Sequence, residues 1–153
     1  MQIRTAKTDR EKNELDQLLW DVLWKPLGLP RDIRKSFSLN GRQIEIIVIN
    51  GGIVIGGLVA NWLSSRKIEI RHIAVSPEHQ GTSIGRRLVE KLITQVRRPH
   101  PVKILTDARN TSVGFFTKLG FKLTGITLEH PDFMAHGISI HEMCLELNSS
   151  TNE

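Results

Sequence analysis

Apolar and polar positions along this chain repeat with two distinct periods. Leu15, Leu18, Leu19, Val22 and Leu23 recur at helical intervals, and the spacing predicts a helix over 9–24. Its start is marked by Thr8 with Glu11 three residues later, the spacing of a capping box. A second stripe, Leu88, Val89, Leu92, Ile93 and Val96, predicts a helix over 84–96 that Pro99 and Pro101 end. A third helix is expected over 111–119, closed by Gly120. The other ordered stretches are β-branched and apolar. Those at 43–49 and 53–63 flank Asn50, Gly51 and Gly52, residues that tolerate the positive φ of a hairpin turn. Further strands are expected at 1–5, 67–75, 102–106, 121–126 and 138–147, and 25–39, with Pro26, Gly28 and Pro30, reads as a loop with a helical turn at 31–35. The order is strand, helix, three antiparallel strands, helix, strand, helix, two strands. That order predicts an α+β fold, a mixed, mostly antiparallel sheet of six to seven strands with helices on both faces.

Composition narrows the class. With 153 residues, 39% hydrophobic and 24% charged, the chain has the make-up of one globular domain, expected over 1–147 with a disordered polar tail at 148–153. The longest apolar run, 53–60, contains Gly56 and Gly57 and is far shorter than the roughly 20 residues of a membrane span. No signal-peptide pattern opens the sequence and Cys144 is the single cysteine, so a cytoplasmic, reducing location is expected, with no membrane partner. A net charge of +5 arises from 21 basic and 16 acidic residues without a continuous basic tract. Because aromatics do not interleave the basic positions, no nucleic-acid partner is expected.

Candidate chemistry concentrates between Ile68 and Ile93. IEIRHIAV reads as a strand, SPEHQGTSIG as a loop without acidic residues after Glu78, and RRLVEKLI as a helix with an open start. Unsatisfied N–H groups and about half a positive charge gather at such a start, so an anion, most plausibly a pyrophosphate, is expected there. The loop lacks the Gly-Lys-Ser/Thr of a triphosphate loop and the three-glycine spacing of a dinucleotide fingerprint. A purely structural turn is the alternative. Arg86 and Arg87 read either as part of a solvated helix face or as phosphate ligands.

Two motifs carry a family resemblance, AVSPEHQGTSIGRRL at 74–88 and ARNTSVGFFTKLGF at 108–121. In this order they resemble the GNAT superfamily of acetyl-CoA-dependent N-acetyltransferases. Gln80, Ser83 and Gly85 stand at the places of the family's first pattern, Ser83 departing from the usual glycine, and Asn110 with Leu119, Gly120 and Phe121 match the second. The resemblance implies acetyl-CoA as co-substrate. It implies backbone pairing of the pantetheine arm with Ile73, Ala74 and Val75, and pyrophosphate on the amides of Gln80, Gly81, Thr82, Ser83, Ile84, Gly85 and Arg86. Asn110 and Phe116 are expected on the far side of the pantetheine and thioester. An amine acceptor attacking directly in a ternary complex is implied, as is a homodimer formed through the last strands. A non-catalytic CoA-binding sensor and a protein-binding module are the alternatives.

Catalysis requires an amine freed of its proton, since an alkylammonium has a pKa near ~10. Glu69 stands eleven residues before Gln80, where a branch of the family that includes histone acetyltransferases has its general base. An outward-facing strand residue paired with Arg71 is the other reading, and His72 on the opposite face is structural. Many family members have an acidic tyrosine where Phe116 stands, and this chain has no tyrosine. His141 and Cys144 are candidate replacements, and both also read as packed strand residues. The segment DFMAHGISIHEM at 132–143 resembles the ending of a bacterial GNAT branch, which would put His141 beside the acceptor. His130, His136, His141 and Cys144 have no common metal-site spacing, so no metal is expected.

Overall fold

The computed structural model describes residues 1–148; the expected tail lies, apart from Asn148, outside the described residues. In chain order the elements are β1 (Gln2–Thr5), α1 (Asp9–Leu19), β2 (Gln43–Asn50), β3 (Ile53–Ser64), β4 (Lys67–Val75), α2 (Ile84–Val96), β5 (Val102–Arg109), α3 (Val113–Lys118), β6 (Lys122–Leu128), α4 (Pro131–Met134) and β7 (Ile140–Leu147). The strands form one seven-stranded sheet in the order β1-β2-β3-β4-β5-β7-β6. β4 and β5 run parallel, and their connection runs through α2. This is the expected α+β class with its mixed, mostly antiparallel sheet. The described residues form two compact units, 1–61 with 72–96 and 62–71 with 97–148.

In the first unit β2 lies antiparallel between β1 and β3. Ile46, Ile47 and Val48 are all 0% exposed, so consecutive residues of β2 are buried on both faces. The cover on each face is visible at two adjacent glycines of β3. A Cβ at Gly56 would meet Ile84 and Leu88 of α2 at 3.0 and 3.4 Å, whereas one at Gly57 would overlap a methyl of Leu15 in α1. Neighbouring strand residues point to opposite faces, so the two helices cover opposite faces here. α1 begins as expected, with Glu11 N–H donating to Thr8 Oγ1 at 3.1 Å and Thr8 N–H to Glu11 Oε1 at 3.3 Å. It is α-helical only to Leu19; Trp20–Trp24 form a wider π-helical turn ahead of Pro26, which has no N–H to continue the ladder. The turn delivers Trp24, 2% exposed, against Phe37 and the edge of His72 at ring separations of 5.6 and 5.0 Å. His72 therefore occupies a packed, structural position.

In the second unit the first half of β4 pairs with β5, β5 with β7, and β7 with β6. β5 runs three residues beyond the expected 102–106, because β7 pairs with it along all eight residues from Val102 to Arg109. Ile68, Ile70, Ile104 and Met143 share the buried face, while Glu69, Leu105, Asp107 and Cys144 share the half-buried one. The expected helix over 111–119 is shorter, Val113–Lys118, preceded by a tight turn at Asn110–Ser112. α4 was not expected; Pro131 suits a helix's first turn and His130 Nδ1 accepts from Asp132 N–H at 3.3 Å.

Gly57 is the position where backbone and helix approach most closely. Gly57→Ala is expected to cost about 1–3 kcal/mol by overpacking against Leu15, read as a lower urea midpoint with unchanged m-value.

Candidate functional site

β4 leaves its last residues half-buried and then turns sharply. Ser76 N–H donates to the Ile55 carbonyl at 2.8 Å, Pro77–His79 form a single tight turn, and His79 Nδ1 lies 2.8 Å from Ser76 Oγ. Gln80 bridges back, its Nε2 donating to the Val75 carbonyl at 3.0 Å, and Thr82 Oγ1 donates to the His79 carbonyl. These bonds hold a loop whose tip, Gln80 to Ser83, is exposed. Gly81 and Ser83 both have positive φ, 79° and 69°, and α2 begins at the next residue. Its ladder opens with Arg87 N–H on the Ser83 carbonyl at 3.0 Å, so the amides of Ile84, Gly85 and Arg86 belong to the first turn that the ladder leaves unpaired. No acidic residue stands in that turn. Ala74 and Ile84, each 4% exposed, turn their side chains into the core. Arg86 stretches along the surface toward Glu90, 4.0 Å away.

The second unit holds the titratable groups. Arg71 Nη1 donates to Glu69 Oε1 at 3.2 Å, with the two side chains 26% and 16% exposed. Asp107 lies two residues along β5 from the register partner of Glu69, on the same face, and β7 sets Glu142 opposite Asp107. Thr124 Oγ1 donates to Glu142 Oε1 at 2.9 Å. Burial, then the charge of Glu69, pushes the Asp107 carboxyl up to about 6, with Glu142 adding to the rise and Arg71 opposing it.

The remaining candidates separate. Cys144, opposite Leu105, lies on the same face as Glu69, and burial pushes its thiol up, keeping it protonated. His141 is opposite Ala108, on the other face, with Nε2 2.9 Å from Ser139 Oγ. Asn110 is tied to the same turn: its N–H donates to the Ser139 carbonyl at 2.9 Å and its Oδ1 accepts from Ser139 N–H at 3.3 Å. Phe116 is 2% exposed and packs edge-on against Phe115 and Phe121 at 5.0 and 5.2 Å. Among the described residues no His, Cys, Asp and Glu group is arranged to hold a metal ion, and no helix is long and apolar enough to cross a membrane.

The family model for the acetyltransferase (GNAT) domain matches residues 29–147. The chain belongs to that family. It is 30% identical over 69 residues to glucosamine 6-phosphate N-acetyltransferase of Schizosaccharomyces pombe, a match spanning 45% of this chain and 60% of that protein. With the histone acetyltransferase GCN5 of Oryza sativa subsp. japonica it shares 29% over 96 residues, 61% of this chain and 19% of the relative. The chain thus spans less than two thirds of either relative. A crystal structure of aminoglycoside 6'-N-acetyltransferase complexed with coenzyme A shares the fold with a TM-score of 0.75 at 16% identity, covering 99% of this chain and 100% of that one.

Within the GNAT fold, two features lay beyond the sequence reading. Asp107 lies beyond the expected strand 102–106; the alternation of ILTDAR is the signal that the strand continues. Glu142 had no local signal, since only pairing with β5 sets it beside Asp107. Ser83, by contrast, was flagged as a departure from glycine, and its left-handed backbone shows why glycine is usual there.

Two predictions follow from these local costs. Ser83→Gly is expected to stabilise the protein by about 0.5–1 kcal/mol, the relief of a left-handed Cβ less the added freedom of the unfolded chain, measured by urea unfolding. Asp107 has its folded pKa raised from 3.8 to about 6, so the stability linked to its protonated form is full below about pH 4 and lost as pH rises through about 6. Asp107→Asn cannot ionise. Its melting temperature relative to the wild type should therefore climb between about pH 4 and pH 8 in a calorimetric series.

Proposed function

We propose that this chain moves an acetyl group from acetyl-CoA to a primary amine by direct attack in a ternary complex. The observation that carries the reading is the exposed Gln80 to Ser83 loop opening onto the uncapped first turn of α2, in a chain of the GNAT family. In this reading the pyrophosphate accepts the amides from Gly81 to Arg86, where the helix dipole favours negative charge. Ile73, Ala74 and Val75 offer their backbone to the pantetheine, and Gln80, already donating to the Val75 carbonyl, holds that strand end in place. Asn110, fixed by its two bonds to Ser139, adds a polar contact to the pantetheine. Phe116, a residue of α3, anchors that helix through its buried packing against Phe115 and Phe121 and so serves the thioester site by positioning the helix.

Glu69 removes the proton of the acceptor amine, its carboxylate steadied by Arg71. The freed nitrogen attacks the thioester carbon and the CoA sulfur leaves. A thiol with an ordinary pKa near ~8.5 leaves as a thiolate without a strong acid, which suits a chain that has no tyrosine. Cys144 with its raised pKa and His141 on the opposite face are not needed as donors. The proposal places one acetyltransferase domain over 1–147 in the cytoplasm and includes a homodimer, for which β6, exposed along all seven residues, is the available edge.

Calorimetry with acetyl-CoA is the first test, and absence of both heat and a thermal shift would sink the reading. A free-thiol assay then separates enzyme from sensor. Glucosamine 6-phosphate, an aminoglycoside and a lysine-bearing histone peptide, the acceptors that the relatives' names suggest, form the panel. Binding without thiol release from any of them would favour a CoA sensor. Arg86→Ala, at an exposed position, is expected to weaken acetyl-CoA binding by about two- to fivefold, in line with one solvent-screened phosphate contact.

A further inference from the structure

Glu69 lies on a sheet face that three strands share. β4 and β5 are parallel and paired from Lys67 with Lys103 to Ile70 with Thr106, so Glu69 and Arg71 leave β4 on the face that carries Leu105 and Asp107 of β5. β7 adds Glu142 directly opposite Asp107 and Cys144 opposite Leu105. The charged and titratable groups facing Asp107 are thus Glu69 and Arg71 from β4 and Glu142 from β7. Two of the three carboxylates have donors of their own: Arg71 on Glu69, at 3.2 Å, and Thr124 on Glu142, at 2.9 Å. Asp107 shares its face with Glu69, and burial together with the charge of Glu69 raises its carboxyl to about 6. Like charges on one face of neighbouring strands resist ionising together, so Asp107 holds a proton above the ordinary aspartate range.

We propose that Glu69 and Asp107 form one acid–base unit in which the proton taken from the acceptor amine comes to rest on Asp107. This rests on the acetyl-transfer reading above and assigns Asp107 a part in it. The N–H proton of the ammonium passes to the carboxylate pair. The nitrogen lone pair then forms the C–N bond to the thioester carbon, and the C–S bond breaks with its electrons on the CoA sulfur. CoA leaves as the thiolate and takes a proton from water. Arg71 stays on Glu69 throughout, which keeps the outer carboxylate oriented while the proton is lodged on the inner one. A group that titrates at about 6 holds the proton more firmly than an ordinary aspartate and still returns it to neutral solvent before the next turnover.

The test is a carboxyl-carbon NMR titration of the full chain labelled at Asp and Glu, joined to pH–rate profiles. The wild type should show one aspartate signal with a midpoint near 6, absent in Asp107→Asn and moved down in Glu69→Gln. With the panel amine of highest kcat/KM, Asp107→Asn should lower kcat about 10- to 100-fold near pH 7.5, shift the acid limb downward, and leave the acetyl-CoA dissociation constant unchanged. A merely structural role would leave the limb in place. An Asp107 signal in the ordinary aspartate range, or one indifferent to Glu69→Gln, overturns the proposal, as does an Asp107→Asn enzyme with the wild-type profile. Should Asp107→Asn fail to fold, the titration of wild type against Glu69→Gln decides. Failure of acetyl-CoA to bind the wild type overturns the transfer reading alone, since the carboxyl titration needs no ligand and still reports the pair.

Discussion

Strict alternation along β4 is the constraint on which the chemistry of this protein depends. Ile68, Ile70, His72 and Ala74 are buried, whereas Glu69, Arg71, Ile73 and Val75 are half-buried. A slip of one residue would drive a carboxylate and a guanidinium into the core and bring four core residues out, so burial of the even positions locks the odd ones in place. The same lock orients the backbone at the strand's end, where the Gln80 bridge and the Ser76 bond to Ile55 begin the loop. One strand thereby presents two kinds of chemistry, ionisable side chains in its first half and backbone groups in its second.

Two local costs are kept where the function is assigned. Ser83 adopts a left-handed backbone that favours glycine, and Asp107 is half-buried beside two like charges. Arg71 offsets part of the cost at Asp107, while Ser83 keeps its left-handed backbone at the exposed loop tip. A packed framework holds strained or charged groups in geometries that they would otherwise leave.

The carboxylates also differ in what holds them. Glu69 has a cationic donor and Glu142 a hydroxyl, while Asp107 faces the charges of Glu69 and Glu142.

Much of this was legible in the linear chain, for a physical reason. Helix capping at Thr8, the hairpin at Asn50, the end of β4 at Pro77 and the open start of α2 are set by residues within a few positions of each other, and the bounds of β4 and α2 emerged as the patterns implied. The α+β class and the GNAT family followed from the order of those elements and two motifs. Tertiary structure alone decided that Glu69 shares a face with Asp107 and that Asp107 faces Glu142. Those residues, dozens of positions apart, are brought together through strand register. Register is chosen by the burial of whole faces, so no short stretch of sequence contains it.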